Sequence, residues 1–135
     1  LYLYGPKSTG KTFLMNGLSR IWGLSDPCPL DAVVDGFNER LARMPFIVAD
    51  EYLPDVKHIS GKLRALIGSG GHTIKRKFLP EASVRGSVRI VILANTPNLL
   101  DLRGDHTKED LEAIAERFLF VETSKEGVSR STAFG

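Results

Sequence analysis

Cysteine is almost missing from this chain of 135 residues; Cys28 is the only one. An internal disulfide is therefore excluded, and a reducing compartment fits. Cys28 stands between Pro27 and Pro29, with no cysteine or histidine close by to build a metal site. No apolar run approaches the roughly 20 residues of a membrane helix, and no signal-peptide pattern opens the chain. The expectation is a cytoplasmic protein, not secreted and with no membrane partner. Internal repeats and low-complexity segments are also lacking. There is no initiating Met, and the chain opens directly on the core-strand sequence Leu1-Tyr2-Leu3-Tyr4. That predicts one domain over residues 1–135, excised from a longer protein. What is present is ordinary globular composition, 42% hydrophobic and 25% charged, enough to bury a core.

Acidic residues are scarce in one place. From Val56 to Leu100 there are eight lysines and arginines and a single acid, Glu81, a net of +7 in a chain of +2. A basic centre in an otherwise acidic domain points to a polyanionic partner. Around it, apolar runs alternate with amphipathic ones. Leu1 to Tyr4 reads as a strand. A helix runs from Gly10 to about Trp22, with Phe13, Leu14, Leu18, Ile21 and Trp22 at near-helical spacing. Phe37 to Met44 reads as a short helix, Phe46 to Ala49 as a second buried strand, and Ile59 to Ile67 as a helix stopped at Gly68. Thr73 to Leu79 and Val84 to Ala94 read as two strands of a hairpin turning near Pro80 to Gly86. Ile90 to Ala94 is apolar throughout, as for a strand covered on both faces. Thr107 opens a helix to Glu116, and Phe118 to Val121 is the last strand. Strands alternating with helices predict a mainly parallel sheet in an α/β sandwich.

The turn after the first strand is Gly5-Pro6-Lys7-Ser8-Thr9-Gly10-Lys11-Thr12, the pattern Gly-x-x-x-x-Gly-Lys-Thr between a strand and a helix. Glycine lets the backbone curl around phosphates without a Cβ in the way. The exposed amides and the helix N-terminus then face negative charge. Lys11 is expected at the β- and γ-phosphates and the Thr12 hydroxyl on magnesium, Mg2+. Asp50 and Glu51 end the second apolar strand. Asp50 suits the metal side, and Glu51, one residue on, can hold and deprotonate an attacking water. Asn95 ends the third, where a neutral donor and acceptor can touch both the γ-phosphate and that water. No guanine-reading Asn-Lys-x-Asp occurs, which favours ATP.

These motifs, at this spacing, resemble the superfamily 3 helicases, the ring-forming motors of small viruses, phages and plasmids. The likeness is greatest to poxvirus and phage primase–helicases and spans about residues 1 to 121. Between the second and last motifs lies a helix, a Gly-rich turn and a basic strand, Lys62 to Phe78. The resemblance implies an AAA+-like P-loop fold, a three-layer sandwich with an added β-hairpin between those motifs. It further implies a hexamer with ATP between subunits and a hairpin from each subunit in a central channel on single-stranded nucleic acid, DNA favoured. On that basis Lys75, Arg76 and Lys77 meet the nucleic acid, and Arg117 matches the arginine finger, ahead of Arg103 and Arg130. The hairpin departs from the family in having no clear Lys-His pair at its tip.

Other functions compete. A non-helicase AAA+ ATPase, such as an initiator loader or packaging motor, and a viral RNA helicase use the same core. A small P-loop kinase needs an arginine-marked lid, for which no cluster is visible, and a binding-only module has no need of Glu51.

Overall fold

The computed structural model describes residues 1–22, 28–34, 38–44, 46–50, 59–97 and 107–126. The elements run β1 (Tyr2–Tyr4), α1 (Lys11–Ile21), β2 (Cys28–Pro29), α2 (Asp31–Val34), α3 (Glu39–Arg43), β3 (Phe46–Asp50), α4 (Ile59–Gly68), β4 (Gly71–Ile74), β5 (Ala82–Arg85), β6 (Arg89–Ala94), α5 (Lys108–Ala115) and β7 (Phe120–Glu122). Five strands form a parallel sheet in the order β2-β3-β6-β1-β7, and β4 and β5 form a separate antiparallel pair. The fold is the α/β sandwich with a central parallel sheet that the alternation predicts.

Successive side chains of a strand point to opposite faces, and the two cores follow that rule. Phe46, Val48, Val91, Leu93 and Leu3 pack on one face with Met15 of α1. Ile47, Ala49, Ile90, Ile92 and Tyr2 pack on the other with Val33, Leu41, Leu63 and Ile114 of α2 to α5. Helices therefore cover both faces. Residues 90–93 are all buried, each such side chain contributing about 1.5–3 kcal/mol. This explains why β6, apolar on both faces, lies at the centre of the sheet. Cys28 belongs to the second core. Burial pushes its thiol up from the ordinary value, Arg40 lowers it and Asp31 raises it further, so the group is an apolar filler rather than a thiolate nucleophile.

Three expectations change in detail. The first concerns α1, whose buried positions are Lys11, Met15 and Ser19, whereas Phe13 and Ile21 are exposed. Lys11 must turn back towards the loop before it, and positions four and eight further on follow it to the sheet. The second concerns the hairpin. Its strands are β4 and β5, its last ladder pair is Ile74↔Ala82, and its tip is residues 75–81, not Pro80 to Gly86. Gly86, at φ 139, is the exit from the hairpin, and its amide donates to the Gly70 carbonyl at 3.0 Å to close the base. The Val84–Ala94 run is thus two strands, because only its second half is apolar enough for the central sheet. The third is that the strand expected over Thr73 to Leu79 stops at Ile74. Opposite Arg76 in that register stands Pro80, which has no amide to donate and whose carbonyl accepts from the Arg76 guanidinium at 3.0 Å. On the outer edge the Asn38 side chain takes the Lys75 amide at 2.7 Å and donates to the Thr73 carbonyl at 3.0 Å.

Candidate functional site

Parallel pairing brings three chemically distinct strand ends together. Tyr4 pairs with Ala94 and Asp50 with Leu93. The loop after β1, Asn95 after β6 and Asp50 at the end of β3 thus share the carboxyl edge of three adjacent strands, the edge where open α/β sheets bind ligands. The sequence places β3 next after β1 among the long strands, yet β6 lies between them. That insertion is what sets Asn95 beside the loop.

The loop itself is curled. Gly5, Ser8 and Gly10 have φ of 146°, 63° and 82°. Gly10 is the N-cap of α1, with no side-chain cap and no acidic residue in the first turn. The first amides of an 11-residue helix therefore face the loop without a local acceptor, which favours an anion there. A Cβ built on Gly10 meets nothing within 4 Å, leaving open space over the loop. Pro6, Lys7, Ser8 and Thr12 are exposed, whereas Thr9 and Lys11 are buried.

Lys11 is the centre of the arrangement. It is only 7% exposed, and its Nζ donates to the carbonyls of Gly5 and Pro6, each at 2.9 Å. A third contact, 3.4 Å, reaches Asn95 Oδ1. A buried ammonium needs acceptors, and here they are the loop's own carbonyls plus the side chain expected opposite the γ-phosphate. Asp50, at the exposed end of β3, lies one strand beyond. This chemistry fits a nucleotide phosphate and a magnesium ion: a cation, open amides, a hydroxyl at Thr12 and a carboxylate on one edge. Glu51 lies outside the described residues, as do Arg103 and Arg130.

Arg117 follows α5, and its guanidinium donates to the Ala113 carbonyl in the last turn of that helix. Tyr2 pairs with Phe120 in parallel register. Arg117 therefore precedes the entry end of the sheet while Gly5 follows the exit end. At ~3.3 Å per residue the two are roughly 15–20 Å apart along the strand direction. Lys75 and Lys77 are exposed at the hairpin tip, and Arg76 is half-buried, its Nη2 donating to the Pro80 carbonyl at 3.0 Å. Two other basic residues of the +7 stretch have internal partners. Lys62 donates to the Val34 carbonyl at 2.7 Å, and Arg89 lies over the Trp22 ring at 5.3 Å.

Thr123, just past β7, is a part of the site that the motif reading missed. Its amide donates to the Tyr4 carbonyl at 2.8 Å, and its Oγ1 is 2.6 Å from Thr9 Oγ1. Thr9 in turn donates to the Pro6 carbonyl at 2.9 Å. The edge strand thus buttresses the loop from the side. Tyr2 does the same for the Asn95 segment, its hydroxyl donating to the Thr96 carbonyl at 2.9 Å. The sequence signal is weaker for Thr123 than for Asn95, because Glu122 separates it from the apolar run before it. The close approach gives a stability prediction. A Cβ on Gly5 falls 2.2 Å from the Thr123 carbonyl oxygen, in a backbone conformation worth about 1–3 kcal/mol of strain by itself. Gly5→Ala should lower the free energy of unfolding by at least that much and shift the denaturant midpoint down accordingly; an unchanged midpoint contradicts the packing.

The fold has counterparts. The DUF5906 profile, described as a family of unknown function, matches residues 3–112. An apo structure of the NrS-1 C-terminal region, residues 305–718, aligns with a TM-score of 0.55 at 18% identity, over 86% of this chain and 34% of that one. An A-form apo structure of the same region gives 0.54 at 21% identity, over 85% and 32%. The chain spans about a third of those structures, and at such identities the likeness is one of fold. No curated protein matches. No helix among the described residues is long and apolar enough to cross a membrane. A profile match over most of the chain, from the first strand into α5, places this protein in the DUF5906 family.

Proposed function

We propose that this chain is the ATP-hydrolysing motor domain of a ring-forming helicase of the superfamily 3 type, acting on single-stranded DNA. The observation that carries the reading is Lys11, buried at the carboxyl edge and in contact with both the loop carbonyls and Asn95. On this reading the loop from Gly5 to Thr12 holds the phosphates, with Lys11 at the β- and γ-phosphates. Thr12 and Asp50 hold magnesium, whose chemistry is to neutralise phosphate charge. Asn95 orients the γ-phosphate and the water, and Glu51 takes the proton from that water. Arg117 serves the nucleotide of a neighbouring subunit in a hexamer, because its own lies at the far end of the sheet. The hairpin, standing off the sheet between the second and last motifs, meets the nucleic acid.

Lys11→Ala removes the cation and should weaken binding of a fluorescent ATP analogue and abolish hydrolysis. Turnover at the parent rate in Lys11→Ala would sink the assignment. Hydrolysis measured with and without single-stranded DNA separates a nucleic-acid motor from a non-helicase ATPase. Stimulation is expected, and its absence makes an initiator loader or packaging motor the better reading.

A further inference from the structure

The hairpin tip carries one feature that phosphate contact does not use. Phe78 is 92% exposed, and Leu79 beside it is 55% exposed. Single exposed apolar residues are ordinary, but Phe78 is also held in a conformation unusual for its type, with φ 60°. Bulky side chains seldom adopt positive φ, and such outliers persist where the surroundings fix them. Here Asn38 clamps the end of β4 on one side of the tip. Across it, Arg76 donates to the Pro80 carbonyl. The ladder just before the tip is anchored through Ile74, 1% exposed in the core. Phe78 is thus an outward-facing ring on a braced turn. Lys77 Nζ lies 5.2 Å from its centroid, and Lys75 is exposed two residues before Lys77.

We propose that the tip is a stacking platform for an unpaired base, with Phe78 as the ring and Lys75 and Lys77 as phosphate contacts. The proposal rests on the nucleic-acid reading above and adds to it the part of the strand that is gripped. A ring beside ammonium groups matches a single strand, whose bases present a π-face while its backbone presents charge. Paired bases present no free face at a loop tip, so the occupant is single-stranded. Arg76, engaged within the turn, is a positioning residue that keeps Phe78 outward.

The test compares fluorescent oligo(dT) with an abasic strand of equal length, on the intact chain and its variants over a salt series. Phe78→Ala and Phe78→Leu should weaken oligo(dT) roughly 5- to 150-fold and leave the abasic strand and the salt slope unchanged. Phe78→Tyr should restore binding. 2-Aminopurine in the strand should be quenched by the parent and by Phe78→Tyr only. Lys75→Ala and Lys77→Ala should weaken both strands and flatten the salt slope by about one unit per contact. If the lysine variants behave so while Phe78→Ala binds oligo(dT) like the parent, stacking is overturned and the nucleic-acid reading survives. If neither set changes anything, both fail. Equal loss on both strands in Phe78→Ala assigns the ring a structural role and overturns the proposal. So does an altered assembly mass with unaltered binding, which places the ring in a second copy of this chain.

Discussion

Replacing Arg117 by alanine should lower ATP hydrolysis by the assembled protein about 10³–10⁵-fold, the range for a finger acting on a transferring phosphoryl group. On the proposed reading this is a trans effect. Arg117 comes before the entry end of β7, and the loop proposed to hold the phosphates lies beyond the exit end of the neighbouring β1. In the single subunit Arg117 instead donates to the Ala113 carbonyl, a favourable place for a cation at a helix end. On the proposed reading, assembly exchanges that bond for a phosphate held by a partner. The two roles separate cleanly. A residue serving only the helix end costs a little stability when removed and no rate. A finger costs rate at unchanged nucleotide affinity. Mixing supplies the decisive measurement. In a head-to-tail ring each site joins the loop of one subunit to the finger of the next. Arg117→Ala and Lys11→Ala are each inactive alone, but some interfaces of a mixed ring pair an intact loop with an intact finger. Hydrolysis should reappear on mixing, and a mixture no more active than its components rules out the trans role.

Glu51→Gln should keep ATP bound and lose about 10²–10⁴-fold in hydrolysis, the usual contribution of positioned proton transfer. Glu51 follows directly on Asp50, whose pairing with Leu93 fixes the strand end at the site's edge. The amide keeps the size of the carboxylate and its ability to accept a hydrogen bond, but cannot take a proton from water. Binding is read by equilibrium titration and turnover by phosphate release. An unchanged rate removes Glu51 from the mechanism. A parallel loss of affinity and rate instead makes it part of the binding site, a result at odds with a role confined to water. Asp50→Asn should differ from it, raising the magnesium concentration that turnover needs rather than only removing the proton transfer.

The conformation of the loop from Gly5 to Thr12 was legible in the sequence because its demands are local. A strand, a turn needing positive φ and a helix N-terminus lie within twelve residues, and glycine at positions 5 and 10 meets the backbone requirement. The apolar runs of β3 and β6 were legible too, since a strand covered on both faces has no polar side. The face of α1 was not. Phe13 and Ile21 have the right spacing for burial, but the direction of Lys11 decides which face meets the sheet. Nor was the hairpin register. Thr73 to Leu79 has strand composition, yet the ladder ends at Ile74, because Pro80 has no amide to pair with Arg76, and the outer edge is taken up by Asn38, 37 residues away from Lys75. That contact depends on packing α3 against β4, which no local pattern contains.

The sequence by itself determined the parts, namely a cation and a hydroxyl at the start of a helix, and carboxylates and an amide at the ends of apolar strands. Only the tertiary structure decided their company. Inserting β6 between β1 and β3 brings Asn95 to Lys11 across 84 residues of sequence. Pairing β7 beside β1 presses Thr123 against Gly5 and Thr9. The physical reason is that strand order is set by which runs must be covered on both faces and which can lie at an edge. That is a competition among all the strands for burial, and it cannot be read from any one of them.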